Sequence, residues 1–319
     1  QNTQKNFYAV PIKKVGVRNV EVPILVWQKD ENKAIQVHAT FSAYVELTED
    51  SKGINMSRCG RVIIAQAKRY MEDTVANMHS PTFNLINAIV KDLQTQHNSK
   101  TAYVKCKFSY PSWTKVYASK LDTVEYVDVV WEAIADGEDI TELLTVENVG
   151  ISLCPCSKEM SLLWNNLTSD ESDALLEAGL PASVYQKLKR AGFGAHNQRS
   201  HVAITVQLIP NQQLWFEDLI DISDKSFSAP IRAILKREDE KVEGELAYLG
   251  GFYDDNGFNE VEGTGPKFVE DISRDAARQL DNLLDEKIKD YIVIVRNDES
   301  IHSRSLEAVA VLTAGRNLQ

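Results

Sequence analysis

The hydrophobic pattern changes period several times along the chain, and each change predicts an element. Positions 20–27 and 33–47 are rich in β-branched and aromatic residues, with partial alternation in AIQVHATFSAYVEL, which predicts two strands. From 56 to 78 the apolar residues Val62, Ile63, Ala67, Tyr70, Met71, Val75 and Met78 recur at a helical spacing. Ser80 and Pro81 form an N-cap and first-position pair for a second helix carrying Phe83, Ile86, Ile89, Val90 and Leu93. Alternation returns in TAYVKCKFSY, which puts Ala102, Val104, Cys106, Phe108 and Tyr110 on one face of a strand, and 122–134 predicts a fourth.

The polar stretch ADGED at 135–139 predicts a module boundary, giving modules 1–138 and 139–319. The second module repeats the element order with insertions. Strands are expected at 141–153 and 201–209, with two short helices between them, the second opened by Pro181 and closed by Gly192. A helix follows at about 214–222. A long one is expected from 266 to 290, with Phe268, Val269, Ile272, Ala276, Leu280, Leu283 and Ile288 as its stripe. Strands at 291–295 and 305–313 close the chain, and the Gly- and Asn-rich segment 249–265 reads as an inserted loop. The class is α+β: antiparallel sheets covered by helix pairs, ββααββ twice.

Composition narrows the function. The chain has 319 residues, 43% apolar and 25% charged, enough to bury a sizeable core. A net charge of −11 argues against generic nucleic-acid binding, while leaving room for a local basic pocket. No apolar run reaches the roughly 20 residues of a membrane span, and QNTQKNFYAV lacks a signal-peptide pattern. Four cysteines make no disulfide framework, so the cytoplasm is the expected compartment.

The cysteines then stand out by placement. GISLCPCSKEM brackets a proline with Cys154 and Cys156, which point to opposite faces if the segment is extended. A disulfide between them would be strained, and a zinc ribbon lacks its second pair. Two readings stay open: buried small hydrophobes, or a metal site completed from elsewhere. For the second, His196 in GFGAHNQRSH follows among small residues that let backbone approach closely. Cysteine and histidine favour zinc, iron or manganese over magnesium. The run LKREDEK at 235–241 reads first as a solvated face. Glu270, in KFVED, suits a helix N-terminus or the mouth of a pocket that takes an amidine-like base edge. His302, in ESIHSRS between two strands, is a candidate general acid.

Taken in order, SLCPCSKEMS, GAHNQRSHV, WFEDLID, LKREDEK, PKFVEDISRD and ESIH, with KGINMSR at 52–58, resemble the type IB GTP cyclohydrolases of the tunnelling-fold superfamily. The resemblance implies two tunnelling modules assembling into a multimeric barrel, a homotetramer with interfacial sites, and GTP or a related purine nucleotide as substrate. It implies opening of the guanine imidazole ring at C8, release of formate and closure to 7,8-dihydroneopterin triphosphate, a step toward folate-type pterins. It implies one zinc, manganese or iron ion per site on Cys154, His196 and Glu240, with Glu270 anchoring the guanine edge and His302 donating a proton. Lys52, Arg58 and Arg199 lie in the matching segments as candidate triphosphate ligands. Asn55 and Arg304 stand where the family pattern has histidines, and the 249–265 segment is longer than usual.

Overall fold

The alternating segments pair into one long antiparallel sheet, one face of which carries two pairs of helices. The computed structural model describes residues 10–29, 33–77, 82–163, 168–185, 194–316 and 318. The elements run β1 (Ile12–Gln28), β2 (Lys33–Leu47), α1 (Met56–Asn77), α2 (Thr82–His97), β3 (Thr101–Lys115), β4 (Asp122–Asp136), β5 (Asp139–Leu153), α3 (Pro155–Leu163) and α4 (Ser169–Glu177). They continue as β6 (Asn197–Leu208), α5 (Phe216–Ser226), β7 (Ala229–Pro230), α6 (Arg237–Leu249), β8 (Gly251–Asp254), β9 (Gly257–Glu260), α7 (Val269–Asp281), β10 (Ile288–Asp298) and β11 (Glu307–Thr313). The sheet order is β1-β2-β3-β4-β5-β6-β10-β11, with β7 pairing beside β5.

The period-2 pattern sets which face is covered. On β2, Val37, Ala39, Phe41, Ala43, Val45 and Leu47 are buried, and on β6 so are Val202, Ile204, Val206 and Leu208. The α1/α2 pair packs over the first four strands, and α5 with α7 over the rest, so ββααββ occurs twice once the inserted elements are set aside. At Gly150 on β5 a Cβ would stand 2.1 Å from the Phe227 ring, so only glycine lets the end of α5 settle this close to the sheet. The junction at 138/139 is a tight hairpin turn, with Asp136 opposite Asp139 and Gly137 at φ 62°. The two expected sheets are therefore one, running through that turn.

Three expectations need correcting, each for a local reason. The long helix ends at Asp281, not 290, because the chain turns at Leu283 and Leu284, Asp285 is left-handed, and Ile288 joins Leu208 in the sheet. The 249–265 segment contains the β8–β9 hairpin, whose turn uses Gly257 at φ 124°. The charge run at 235–241 is the entry to α6, a helix the pattern did not announce. The start proposed at Ser80–Pro81 and the helix end proposed at Gly192 lie outside the described residues.

Three helices open the same way. In WFED, KRED and FVED the terminal aspartates Asp218, Asp239 and Asp271 take the N–H of Trp215, Lys236 and Phe268 at 3.2, 3.0 and 3.0 Å. An N3 carboxylate reaching back to the N-cap satisfies a donor the helix leaves orphaned. That is the structural duty of these motifs, separate from whatever their glutamates do.

Candidate active site

Cys154 follows the last residue of β5. Cys-Pro-Cys is not extended there, so the opposite-faces condition does not apply: Pro155 opens α3, a position where its missing N–H costs nothing. The Cys154 sulfur accepts from the Ser157 N–H at 3.4 Å, and the Cys154 N–H donates to the His196 carbonyl at 3.2 Å. That bond continues the β5–β6 ladder past the Leu153–Asn197 pair, so the cysteine and the histidine are backbone neighbours although 42 positions apart. Cys156 is exposed.

The His196 ring is held from one side. Its Nδ1 lies 3.1 Å from Gln198 Oε1 and 3.4 Å from Ser300 Oγ, while Gln198 Nε2 donates to Glu299 Oε1 at 3.0 Å. With the amide nitrogen turned to the carboxylate, the amide oxygen accepts from Nδ1–H, which leaves the Nε2 lone pair to face outward. A carboxylate–amide–imidazole chain of this kind fixes tautomer and orientation, as metal-binding histidines require. Glu299 and Ser300 belong to the β10–β11 connection, which also carries His302. That connection is closed by the Glu299 N–H to the Leu306 carbonyl, and His302 is exposed on it.

Glu270 arrives at the same end of the sheet. The Lys267 N–H donates to the Leu153 carbonyl at 3.1 Å. The buried Ser152 hydroxyl donates to the Lys267 carbonyl at 2.9 Å and accepts from Asn297 Nδ2 at 2.8 Å. The segment opening α7 is thus bolted to β5 and β10, and Glu270 is exposed in its first turn. Glu240 is exposed in the first turn of α6. That turn is anchored by Asp239, which accepts from the Ser119 N–H and hydroxyl at 2.8 and 2.9 Å, while Val242, Leu246 and Ala247 pack with Leu153 and Ala229.

Cys154, His196, Glu240, Glu270, His302 and Arg199, which sits opposite Ile151 on β6, therefore all belong to one end of the sheet. Among the described residues, no three His, Cys, Asp or Glu side chains stand together as a metal-holding group, so Glu240 does not close with Cys154 and His196. The donor types of Cys154 and His196, and the outward Nε2, fit a transition metal. Lys52 and Arg58 lie elsewhere. They follow β2 near Leu47, at the strand ends shared with Thr101 and Asp136, and the Arg58 guanidinium donates to the Gln96 carbonyl at 2.9 Å. β5 has 15 residues between the two ends, about 45 Å at about 3.3 Å per residue.

Sequence reasoning did not single out Gln198, Glu299, Ser152 or Asn297, which orient the site, or Glu243, which lines a pocket beside it. Gln198 and Glu299 lay inside quoted motifs. Glu243 carried no signal once α6 was read as a charge run.

No helix is long and apolar enough to cross a membrane, among the described residues. Among solved structures, a uricase from Arthrobacter globiformis aligns over 96% of both chains with a TM-score of 0.52 and 6% identity. Urate oxidase from Bacillus sp. TB-90 aligns over 96% of this chain and all of that one, with a TM-score of 0.50 and 9% identity. These likenesses concern the fold alone, which is the tunnelling fold. The sequence relatives are nearer. GTP cyclohydrolase FolE2 of Magnetococcus marinus is 31% identical over 93% of this chain and 89% of its own length. That of Thermotoga petrophila is 30% identical over 95% and 92%. The family described as type I GTP cyclohydrolase folE2 matches residues 1–310. The likeness to GTP cyclohydrolases suggested by the motifs extends along nearly the whole sequence, but the matching family is folE2 and not the type IB family expected from them: the chain belongs to the type I GTP cyclohydrolase folE2 family.

Proposed function

We propose that this chain is a GTP cyclohydrolase that opens the guanine imidazole ring at C8, releases formate and yields 7,8-dihydroneopterin triphosphate. The observation that carries the reading is the locked pair at the end of β5 and β6: Cys154 bonded through its N–H to His196, and His196 oriented by Gln198 and Glu299. This pair would hold one zinc, manganese or iron ion, whose chemistry is to make water a nucleophile at neutral pH. Glu240, the third ligand implied by the motifs, stands apart from the pair in this structure and would have to move to join it.

The other residues bind, orient and move protons. Glu270, projecting from a segment fixed to β5, accepts the paired N–H groups of the guanine edge, and such orientation is worth several kcal/mol of the barrier, on the order of the upper range for well-aligned reactants. His302 donates a proton to N7 as its bond to C8 breaks and formate leaves. Arg199 offers positive charge to the triphosphate. Lys52 and Arg58 reach the same substrate only from a neighbouring protomer, since their own site end lies about 45 Å away along the strands. That separation supports a homotetramer with interfacial sites, in which the sheets of several copies close into a barrel. Asn55 and Arg304, in place of the family's histidines, leave His302 as the imidazole of its loop.

The test is anaerobic incubation of metal-reconstituted protein with GTP, measuring formate and pterin together. Both products in equal amounts are expected. Metal binding with no formate would overturn the reading.

A further inference from the structure

Beside the locked Cys154–His196 pair lies a pocket of about 360 Å³ lined by Ile151, Gln198, Arg199, Ile231, Arg232 and Glu243, among others. Its walls combine apolar surfaces with a few polar groups, as sites for flat rings do. Gln198 is shared: it forms this wall and also holds the His196 ring.

Glu243 is the anomaly. The residue is 4% exposed, and neither carboxyl oxygen meets a hydrogen-bond donor among the described residues. A buried carboxyl without donors costs on the order of 1–3 kcal/mol or more, and a fold retains such a group where something else requires it. The nearby Arg232 does not relieve it. That guanidinium donates to Asp224 at 3.2 Å, and its Nε is also without a partner. The charged and titratable groups facing Glu243 are Arg232 from the segment after β7, Asp224 of α5, Asp239 of its own helix, and Tyr117 from the β3–β4 turn, with Arg199 across the pocket. Burial first, then the two aspartates, push its carboxyl up to about 7 against the pull of Arg232. An acid–base group works best when it titrates near the working pH.

Resting on the GTP reading above, we propose that Glu243 is a catalytic carboxyl of the ring-opening pocket, relaying a proton from the attacking water to the departing ring nitrogen. The step balances without redox change. The water oxygen bonds to C8 while one of its protons passes to the Glu243 carboxylate. The C8–N9 bond breaks, N9 keeps the electron pair and takes the proton back from Glu243, and the second water proton goes to N7. The carboxylate is regenerated.

Glu243→Gln keeps the shape and removes the exchangeable acid. In steady-state assays of formate release, kcat is expected to fall at least about a hundredfold with KM within about threefold. The limb near pH 7 should vanish from the kcat profile, and the melting temperature should stay level or rise. Glu243→Ala should regain part of the lost rate with added acetate. Wild-type kcat in E243Q, or a raised KM with a lowered melting temperature and no acetate rescue, would overturn the assignment while leaving the GTP reading intact. Wild-type protein that binds metal yet releases no formate would overturn both.

Discussion

The two halves of the sheet solve the same packing problem with different materials. In the half formed by β1–β4 with α1 and α2 the interior is almost wholly apolar, with Gln28, Thr74, His97 and Thr123 as the buried polar residues among those described. Under and around α5, α6 and α7 there are twelve, including Ser152, Ser228, Asp239, Glu243, Lys267 and Asn297. Most of the latter bind backbone: Ser228 Oγ takes the Leu153 N–H, and Lys267 Nζ donates to the carbonyls of Ser226 and Gly263 at 2.9 and 2.8 Å. The first half is held by area, which is non-directional. The second is held by directed bonds, which fix where Cys154, His196 and Glu270 stand. The difference teaches that one architecture can serve as scaffold in one copy and as instrument in the other.

The contrast is open to attack by mutation. The largest effect belongs to Cys154→Ala, expected to lower formate release by a thousandfold or more, on the order of an essential catalytic group, and to lower bound metal while GTP still binds. Elemental analysis with equilibrium dialysis checks it, and a variant as active as the wild type would remove the metal assignment. Next come Phe41→Ala and Phe227→Ala, one fully buried ring from each half. Each should cost about 3–5 kcal/mol in chemical denaturation. Only Phe227→Ala should also depress kcat of the folded protein, since Phe227 rests on Gly150 and precedes Ser228. Equal kcat in both would blur the division between the halves.

A third test uses Glu142, at the opposite strand ends from Cys154. Burial raises its carboxyl to about 7 from 4.5, against a hydrogen bond from Asn87. The folded state therefore holds an extra proton between those values, and stability falls as pH rises through them. Glu142→Gln should flatten that fall, gaining about 1–3 kcal/mol at pH 8 relative to wild type, with kcat unchanged. A steeper fall in the variant would reverse the sign. The smallest effect is expected from Cys156→Ser, which should leave metal stoichiometry unaltered and shift kcat by no more than about twofold, because Cys156 is exposed beyond the locked pair.

Much of this was legible from periodicity. Strands β2 and β3 and helix α1 follow their hydrophobic spacing closely, because each buries one face against a single partner layer. The family motifs also singled out Cys154, His196, Glu270 and His302 as candidates, and the fold brings all four to one end of the sheet. Periodicity failed where polar residues act locally. α6 begins in KRED, whose charges conceal a buried capping aspartate, and β10 begins where a helical stripe seemed to continue through Ile288. The partners that orient His196 lay inside quoted motifs, but their pairing was not legible because the hydrogen bond between Gln198 and Glu299 spans 101 positions, a distance no local pattern encodes.

The rung formed by the Cys154 N–H and the His196 carbonyl has a further consequence. The chain leaves the sheet after Cys154 and rejoins it at His196, so that rung ties together the two ends of the segment between them. The length of the excursion is thereby uncoupled from the spacing of the two residues at its base. Evolution, or an engineer, can lengthen, trim or replace the part of the excursion beyond α3, and the thiol and the imidazole will keep their places so long as the rung stays closed and α3 keeps its bonds to Cys154 and Tyr248.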